Sequence, residues 1–385
     1  MNQHERIAAL FGGDVPDRVP WFADLTWWAY ALEQRGEVPP GLYSGQTSGS
    51  WQPYLEFDAT PGLIDLHREL GAGFYFGSGY YPYRIMHDET VHITDETHGP
   101  ILRKTIETPV GTLTEERTYL PESYVEALSV RQIKSPADLR VLRYVAEHEY
   151  YEADYEVAVR RRPQVDDIGI VMYVMPRTPA MELIVERAGI GTFVTLWQEA
   201  QSELEETLQV MEHKHEEAAA IVVASPVEFV WSGAGPLSSE VVGRRFFERY
   251  VRPWEEKWVQ RLHQAGKWSL THMDGKLRGL IREVAGLGHD AIEALTPAPV
   301  GDITMQEARE LAGPQVILWG GLPSVYFTPL VDDQEFERMV RELLSLMSRE
   351  PRYVLGVGDQ VPPTALRHRL VQVAELVERY GSYGS

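Results

Sequence analysis

The sequence contains no cysteine among its 385 residues. This absence excludes disulfide bonds, thiolate nucleophiles, iron–sulfur clusters and zinc sites built on thiolates. Several motifs are missing as well: there is no Gly-x-Gly-x-x-Gly loop after a strand, no Walker loop, no Gly-x-Ser-x-Gly elbow and no His-Glu-x-x-His pair. These gaps disfavour dinucleotide-binding, nucleotide-hydrolysing, esterase and zincin functions.

Basic residues are scarce relative to acidic ones. The chain has 36 Lys and Arg against 57 Asp and Glu, which gives a formal net charge of −21. Such a surface repels phosphate backbones and anionic lipids, so we expect neither nucleic acid nor membrane as a partner. No run approaches the roughly 20 apolar residues that span a bilayer, and the first residues lack the pattern of a signal peptide. We therefore expect a cytoplasmic protein.

Apolar residues are plentiful, at 44% of the chain. This content is enough for a sizeable core, and the length suits one large α/β barrel with insertions. Because no repeat, low-complexity tract or linker divides the sequence, we predict a single domain over residues 1–385. Within it, residues 35–55 predict an irregular loop. The aromatic side chains of Trp27, Trp28, Tyr80 and Tyr81 fit either core packing or contact with a planar substrate.

Four apolar runs in the second half of the chain each end on a polar residue or a glycine and pass into a helix-like stretch. They cover residues 268–275, 290–296, 316–321 and 353–359. A continuous apolar run followed by a helix is the βα unit of a barrel. Residues 91–119 differ, because apolar and polar side chains partly alternate there. We predict an α/β fold, a TIM (β/α)8 barrel with an inserted antiparallel hairpin or meander near residues 91–119.

Four polar residues lie where such barrels hold their chemistry, just beyond the carboxyl ends of the strands. His272 and Asp274 are two residues apart and would share one face of a strand, as a metal site or an acid–base pair requires. They equally fit a packed histidine beside a helix-capping aspartate. Glu293 interrupts an apolar run, so it needs either a buried ionic partner or a place at the barrel mouth. Asp359 is either functional or a turn residue.

Four further side chains are candidates for substrate binding. Arg177 follows a predicted strand and could bind a carboxylate or phosphate, although a surface arginine is the commoner case. Trp319 and the two glycines after it leave room for a flat ligand, or else form a strand-to-loop turn. Tyr173 and Trp231, both within predicted strands, complete this group.

The order of several short motifs resembles the uroporphyrinogen decarboxylase superfamily, which includes cobalamin-dependent methyltransferases related to methylcobamide:coenzyme M methyltransferase. The shared segments are residues 6–20, 103–111, 235–238, 246–253, 272–275, 301–323 and 358–363. The resemblance runs through most of the chain and implies a TIM barrel. It also implies either of two chemistries, which make different demands on the site.

The decarboxylases of this superfamily use no cofactor and bind a polycarboxylated tetrapyrrole through arginines and an aspartate in the N-terminal third. Here residues 21–28 lack those arginines, and residues 71–83 offer no aspartate. The methyltransferases bind zinc through a His-x-Cys pair and a later Cys. His272 matches their histidine, while Asp274 and Asp359 stand near the positions of the two cysteines. The resemblance thus implies a His272, Asp274 and Asp359 site for a divalent metal, zinc or another, or metal-free acid–base catalysis by the same residues.

We therefore expect corrinoid-linked methyl transfer or demethylation, with Glu293 as a proton-handling partner of the His/Asp/Asp set. The corrinoid would come on a separate protein, because the chain has no recognisable corrinoid-binding module. The substrate would be a small molecule, a tetrapyrrole or a corrinoid, and a homodimer is compatible with this expectation. Two alternatives remain open: cofactor-free decarboxylation of uroporphyrinogen or another polycarboxylate, and a non-catalytic tetrapyrrole-binding barrel.

Overall fold

Helices and strands alternate through most of the computed structural model, which describes residues 1–44, 58–75, 81–232, 235 and 237–383. The helices are α1 (Gln3–Phe11), α2 (Thr26–Gln34), α3 (Pro61–Leu70), α4 (Pro136–Glu147), α5 (Glu156–Val165), α6 (Pro179–Glu182), α7 (Ile190–Glu199), α8 (Gln201–Ala224), α9 (Arg244–Phe246), α10 (Arg252–Gln264), α11 (Ile281–Ala285), α12 (Met305–Ala312), α13 (Asp333–Met347) and α14 (Arg367–Tyr380). The strands are β1 (Trp21–Phe22), β2 (Tyr43–Ser44), β3 (Asp58–Ala59), β4 (Tyr83–His87), β5 (His92–His98), β6 (Ile101–Thr108), β7 (Gly111–Leu120), β8 (Val125–Val130), β9 (Glu149–Ala153), β10 (Met172–Val174), β11 (Phe229–Ser232), β12 (Trp268–His272), β13 (Ala291–Leu295), β14 (Ile317–Pro323) and β15 (Tyr353–Gly358). Tyr80 and residues 45–55 of the predicted loop lie outside the described residues.

A parallel sheet of seven strands forms the centre of the fold, in the order β1-β15-β14-β13-β12-β11-β10. Its two edges are linked through a short segment, since Gly73 bridges Phe22 of β1 and Phe74 bridges Gly169 just before β10. Helices follow most of these strands, which makes the fold TIM-like. The predicted α/β class is thereby confirmed, and the carboxyl ends of the seven strands meet at one end of the sheet.

A second, antiparallel sheet lies between β4 and α4. It has four strands in the order β5-β6-β7-β8, while β4 pairs with β9. This sheet spans residues 92–130, whereas the sequence pattern pointed to residues 91–119. One face carries apolar side chains such as Ile106 and Leu113, which pack with Leu139 of α4 and Leu208 of α8 in a core of their own.

Side chains of the parallel strands alternate between two apolar layers, as the pleat of a strand requires. Trp21, Tyr173 and Leu318 face the surrounding helices. Their neighbours along the strands, Phe22, Met172 and Trp319, face the interior of the curled sheet instead, in one apolar cluster with the side chains of α1. Helix α1 closes the amino end of the interior, where Phe11 lies edge-on to Phe229 with 5.1 Å between ring centroids. The opposite end of the interior, where the strands terminate, is lined by polar side chains.

Among the described helices, none combines the length and apolarity that a membrane crossing requires.

Candidate active site

A buried ion pair joins two neighbouring strands at the carboxyl end of the sheet. His272 is the last residue of β12 and lies in register with Glu293 of β13, and its Nδ1 is 2.8 Å from Glu293 Oε2. The other carboxylate oxygen of Glu293 accepts a hydrogen bond of 3.0 Å from the Tyr75 hydroxyl. Because Glu293 is only 1% exposed, both partners are needed to hold its charge in the interior.

The surroundings of His272 favour the imidazolium form. Burial by itself lowers the pKa of this group, but the charge and hydrogen bond of Glu293, with the charges of Asp274 and Asp359, raise the pKa to about 9. A protonated imidazole donates through both ring nitrogens. Nδ1 is committed to Glu293, so Nε2 is the atom that can act on a ligand or on another side chain.

Asp359 faces His272 from the end of another strand. It follows β15 directly, and its Oδ1 lies 3.8 Å from His272 Nε2. Water reaches 47% of the side chain, while protein surrounds the rest. Burial raises the pKa of Asp359; His272 opposes this rise, and the charges of Asp274, Glu293 and Asp24 add to it, so that the pKa stands at about 7. A carboxyl group with this pKa exchanges protons near neutral pH.

Two further residues of the site were not predicted. Asp24 lies two residues beyond β1, is 2% exposed, and accepts 2.9 Å hydrogen bonds from Thr26 N and Gln360 Nε2. Since Gln360 follows Asp359, this contact ties the end of β15 to the end of β1. Burial raises the pKa of Asp24, and the charge of Glu293 adds to the effect. Strand alternation from Phe22 could have found Asp24, whereas no pattern marked Tyr75.

Two of the predicted substrate-binding residues lie beside this ion pair. Trp231 is edge-on to the His272 imidazole, with 5.2 Å between ring centroids. Trp319 lies deeper and is 1% exposed, with its ring 4.8 Å from that of Tyr75. The two indoles therefore shape the floor and one side of the polar cluster, and any contact of theirs with a substrate stays a prediction.

The other two predicted substrate-binding residues have different surroundings. The guanidinium of Arg177 bonds Glu186 Oε1 at 2.7 Å and the main-chain oxygen of Gly235, so it is engaged with protein groups. Tyr173 faces the helices, where its hydroxyl accepts a 3.3 Å hydrogen bond from Ala158 N. The structure does not bring Tyr173 to the site, because its strand turns Met172 and Val174 to the interior instead.

The position of Tyr173 leads to a prediction for Tyr173→Phe. We expect the variant to lose about 1 kcal/mol of unfolding free energy, since Ala158 N in the first turn of α5 loses its acceptor. We expect turnover to stay unchanged, as no part of the side chain reaches the interior. Urea unfolding measures the first quantity. A change in KM without a change in stability would instead place Tyr173 at the substrate.

The predicted metal site of His272, Asp274 and Asp359 can be compared with this geometry. Asp274 is close enough for its charge to raise the pKa of both other residues, but Nδ1 of His272 is occupied by Glu293. In the described part of the chain, no group of three or more His, Asp or Glu side chains is placed to hold a metal ion. The arrangement therefore does not fit a metal, and the chemistry below is derived without one. Metal binding by these three residues, which the resemblance implies, stays a prediction.

A TIM-like fold with an acid–base cluster at the carboxyl ends of its strands is typical of an enzyme. The family model for uroporphyrinogen decarboxylase (URO-D) matches residues 128–380, and the chain belongs to this family of enzymes. The resemblance seen in the sequence is thus confirmed at the level of the superfamily.

The fold of this chain is also similar to that of a solved structure. A methyltransferase from Methanosarcina mazei shares 12% sequence identity, with a TM-score of 0.61 and 99% of each chain covered. A 3-dehydroquinate dehydratase from Geobacillus kaustophilus HTA426 shares 12% identity over 59% of this chain and 74% of that one. Its TM-score of 0.27 is too low to support a structural comparison. No curated protein sequence matches the chain significantly. At such identities the first likeness establishes the fold alone.

Proposed function

We propose that this chain is an enzyme that moves a methyl group between a small molecule and a corrinoid held by a separate protein. The observation that carries the proposal is the proton-handling set at the strand ends, in which Asp359 is open to solvent and has a pKa of about 7 beside the His272–Glu293 pair. Membership of the URO-D family supports an enzyme, and the fold of the methanosarcinal methyltransferase is compatible with this activity.

Asp359 would supply the proton that methyl removal requires. When a methyl group leaves the oxygen, nitrogen or sulfur of a neutral donor, the carbon–heteroatom bond breaks, its electron pair stays on the heteroatom, and that atom takes up a proton. The corrinoid would supply the electron pair that takes the methyl group, or would carry the methyl group in the reverse direction. In reverse, the Asp359 carboxylate would remove the proton from the acceptor, because acid and base exchange roles.

His272, held in place by Glu293, would stabilise the carboxylate form of Asp359 after it has donated its proton. Once Asp359 has given up its proton, its negative charge faces the imidazolium at 3.8 Å, which stabilises the product carboxylate. Glu293 fixes the ring through Nδ1, and Tyr75 fixes Glu293 in turn. Such a support holds the imidazole in one orientation without itself contacting the substrate.

Decarboxylation is the second candidate, because a carboxyl group with a pKa of about 7 can also protonate a carbanion after carbon dioxide leaves. The charges around it argue against this reaction. The charges of Asp274, Glu293 and Asp24 all raise the pKa of Asp359, so the same carboxylates would repel a polycarboxylate here. These carboxylates would not repel a neutral or cationic methyl donor, so we favour methyl transfer over decarboxylation.

The test is incubation of the protein with free reduced cobalamin and a panel of methyl ethers, methylamines and methyl thioethers. We expect the absorbance of the corrinoid to change to that of its methylated form with at least one class of donor. Parallel incubation with uroporphyrinogen, followed as released carbon dioxide, measures the alternative. Carboxylate loss without any methylation would exclude our proposal, and tight tetrapyrrole binding without turnover in either assay would support a non-catalytic barrel. The predicted corrinoid protein and homodimer stay predictions.

A further inference from the structure

Arg177 is tied to the main chain of a loop at the strand ends. It lies three residues beyond β10, and 11% of its side chain is exposed. One guanidinium nitrogen donates to the main-chain oxygen of Gly235, and Nε donates to Glu186 Oε1 at 2.7 Å. A guanidinium that holds a carbonyl and a carboxylate at once has a fixed orientation, because its donors lie in one plane.

Gly235 packs directly against the candidate catalytic imidazole. A Cβ atom on Gly235 would stand 3.3 Å from both Cβ and Cδ2 of His272 and 3.5 Å from its main-chain oxygen. A side chain at this position would require the ring to shift by a few tenths of an ångström, and glycine avoids this crowding because it has no Cβ atom. The peptide held by Arg177 therefore forms one wall around His272, while the ring of Trp231 lies edge-on to it at 5.2 Å.

Arg177 is itself fixed from the side away from His272. Its main-chain oxygen is 2.8 Å from His215 Nδ1, and His215 Nε2 is 3.0 Å from Glu182 Oε2. Glu182 also accepts a 2.7 Å hydrogen bond from Arg187 Nε. Burial lowers the pKa of His215, but the charge and hydrogen bond of Glu182 outweigh burial and raise it. Protonated His215 can donate to the Arg177 main-chain oxygen and to Glu182 at once, so these hydrogen bonds fix the backbone of Arg177.

The hydrogen-bond network that holds Arg177 continues into the inserted antiparallel sheet. Arg187 Nη1 donates to Gln132 Oε1 at 2.8 Å, and Gln132 Nε2 donates to Glu115 Oε2 of β7 at 2.9 Å. Gln132 is 4% exposed and Glu115 is 4% exposed, so these bonds are shielded from competing water. A connected set of buried and half-buried polar groups thus reaches from β7 to the main chain beside His272.

We infer that Arg177 is a positioning residue, which holds Gly235 against His272 and keeps the imidazole shielded and oriented toward Glu293. It acts through the loop and contacts no reacting atom, in contrast to the substrate-binding role that its place after a strand suggested. The inference rests on the proposed function only in taking His272 as part of the active site.

The test is a pH titration of the His272 ring signals by NMR, assigned with a His272→Gln variant. In Arg177→Met, a loosened loop admits water, which screens the Glu293 charge. We expect the His272 pKa to fall from about 9 toward its ordinary value of about 6.5. With a methyl donor in hand, we expect kcat to fall about tenfold while KM stays within about twofold.

Three comparison variants separate positioning from other roles. Arg177→Lys retains a donor for the Gly235 oxygen and is expected to restore most of the His272 pKa. Gly235→Ala presses on the ring from the same side and should move the same NMR signals even if Arg177→Met folds poorly. Arg84→Met, which removes an exposed arginine paired with Glu152, is the matched control and should change nothing.

Two results would overturn the inference. An unchanged His272 titration in Arg177→Met, with only the unfolding free energy reduced, would make Arg177 purely structural. An unchanged titration with a raised KM would make it a substrate-binding residue. The His272 titration does not depend on the identity of the reaction, so a failure of methyl transfer to appear would leave this measurement intact.

Discussion

Replacement of His272 by leucine is expected to lower the free energy of unfolding by about 3 kcal/mol near pH 7 and to reduce turnover about a thousandfold. The stability falls because Glu293, 1% exposed, keeps only the Tyr75 hydroxyl as a hydrogen-bond partner among the described residues. Although burial lowers the pKa of His272, Glu293 raises it to about 9. A raised histidine pKa stabilises the fold fully below about pH 6.5, and this contribution is lost as the pH rises through 9. Urea unfolding from pH 6 to 10 should therefore show the difference between the two proteins shrinking at the alkaline end.

A second substitution distinguishes the ion pair from simple packing. Glu293→Gln, added to His272→Leu, removes the unpaired charge and is expected to restore about 2 kcal/mol without restoring turnover. His98→Leu on the exposed edge of the inserted sheet is the matched control, because 65% of the His98 side chain is exposed. If His272→Leu were as stable as the parent protein across this pH range, the buried ion pair would not exist in solution.

The polar residues at the strand ends were predictable because each interrupts or terminates an apolar run. His272, Glu293 and Asp359 carry charge where a buried strand tolerates none without a partner, and the runs before them fix which end of the sheet they occupy. Tyr75 gave no such signal. Its segment joins the sheet through single bridges at Gly73 and Phe74, and an element of that length leaves no periodic pattern in a sequence.

The direction of side chains within the strands was not predictable to the same degree. A parallel strand buried on both faces is apolar at every position, so the sequence could not tell whether Tyr173 or Met172 faces the interior. The same limit applies to Arg177, whose contacts with Glu186 and Gly235 depend on the meeting of two loops. Long-range contacts between loops follow from the packed fold and not from local spacing.

Replacement of Asp359 by asparagine is expected to reduce turnover by two to three orders of magnitude while making the protein more stable above pH 7. Asparagine fits the φ of 74° at this position, since it tolerates left-handed backbone better than most residues. Burial raises the pKa of Asp359 to about 7, so its contribution to stability is complete below about pH 4 and is lost as the pH rises through 7. With 47% of the side chain exposed, solvent screening limits the gain to about 1 kcal/mol at pH 8 to 9.

The same pKa makes turnover of the parent enzyme depend on pH in a defined way. If Asp359 donates the proton, the rate of methyl removal falls above pH 7, and Asp274→Asn moves this fall to lower pH because the Asp274 charge raises the Asp359 pKa. Asp95→Asn, on the exposed strand β5, is the control and should leave the profile in place. An Asp359→Asn variant that keeps both its rate and the fall near pH 7 would exclude Asp359 as the proton donor. If Asp359→Asn is more stable but slower than the parent enzyme, the ionised form of Asp359 destabilises the fold, and the residue is nevertheless needed for turnover.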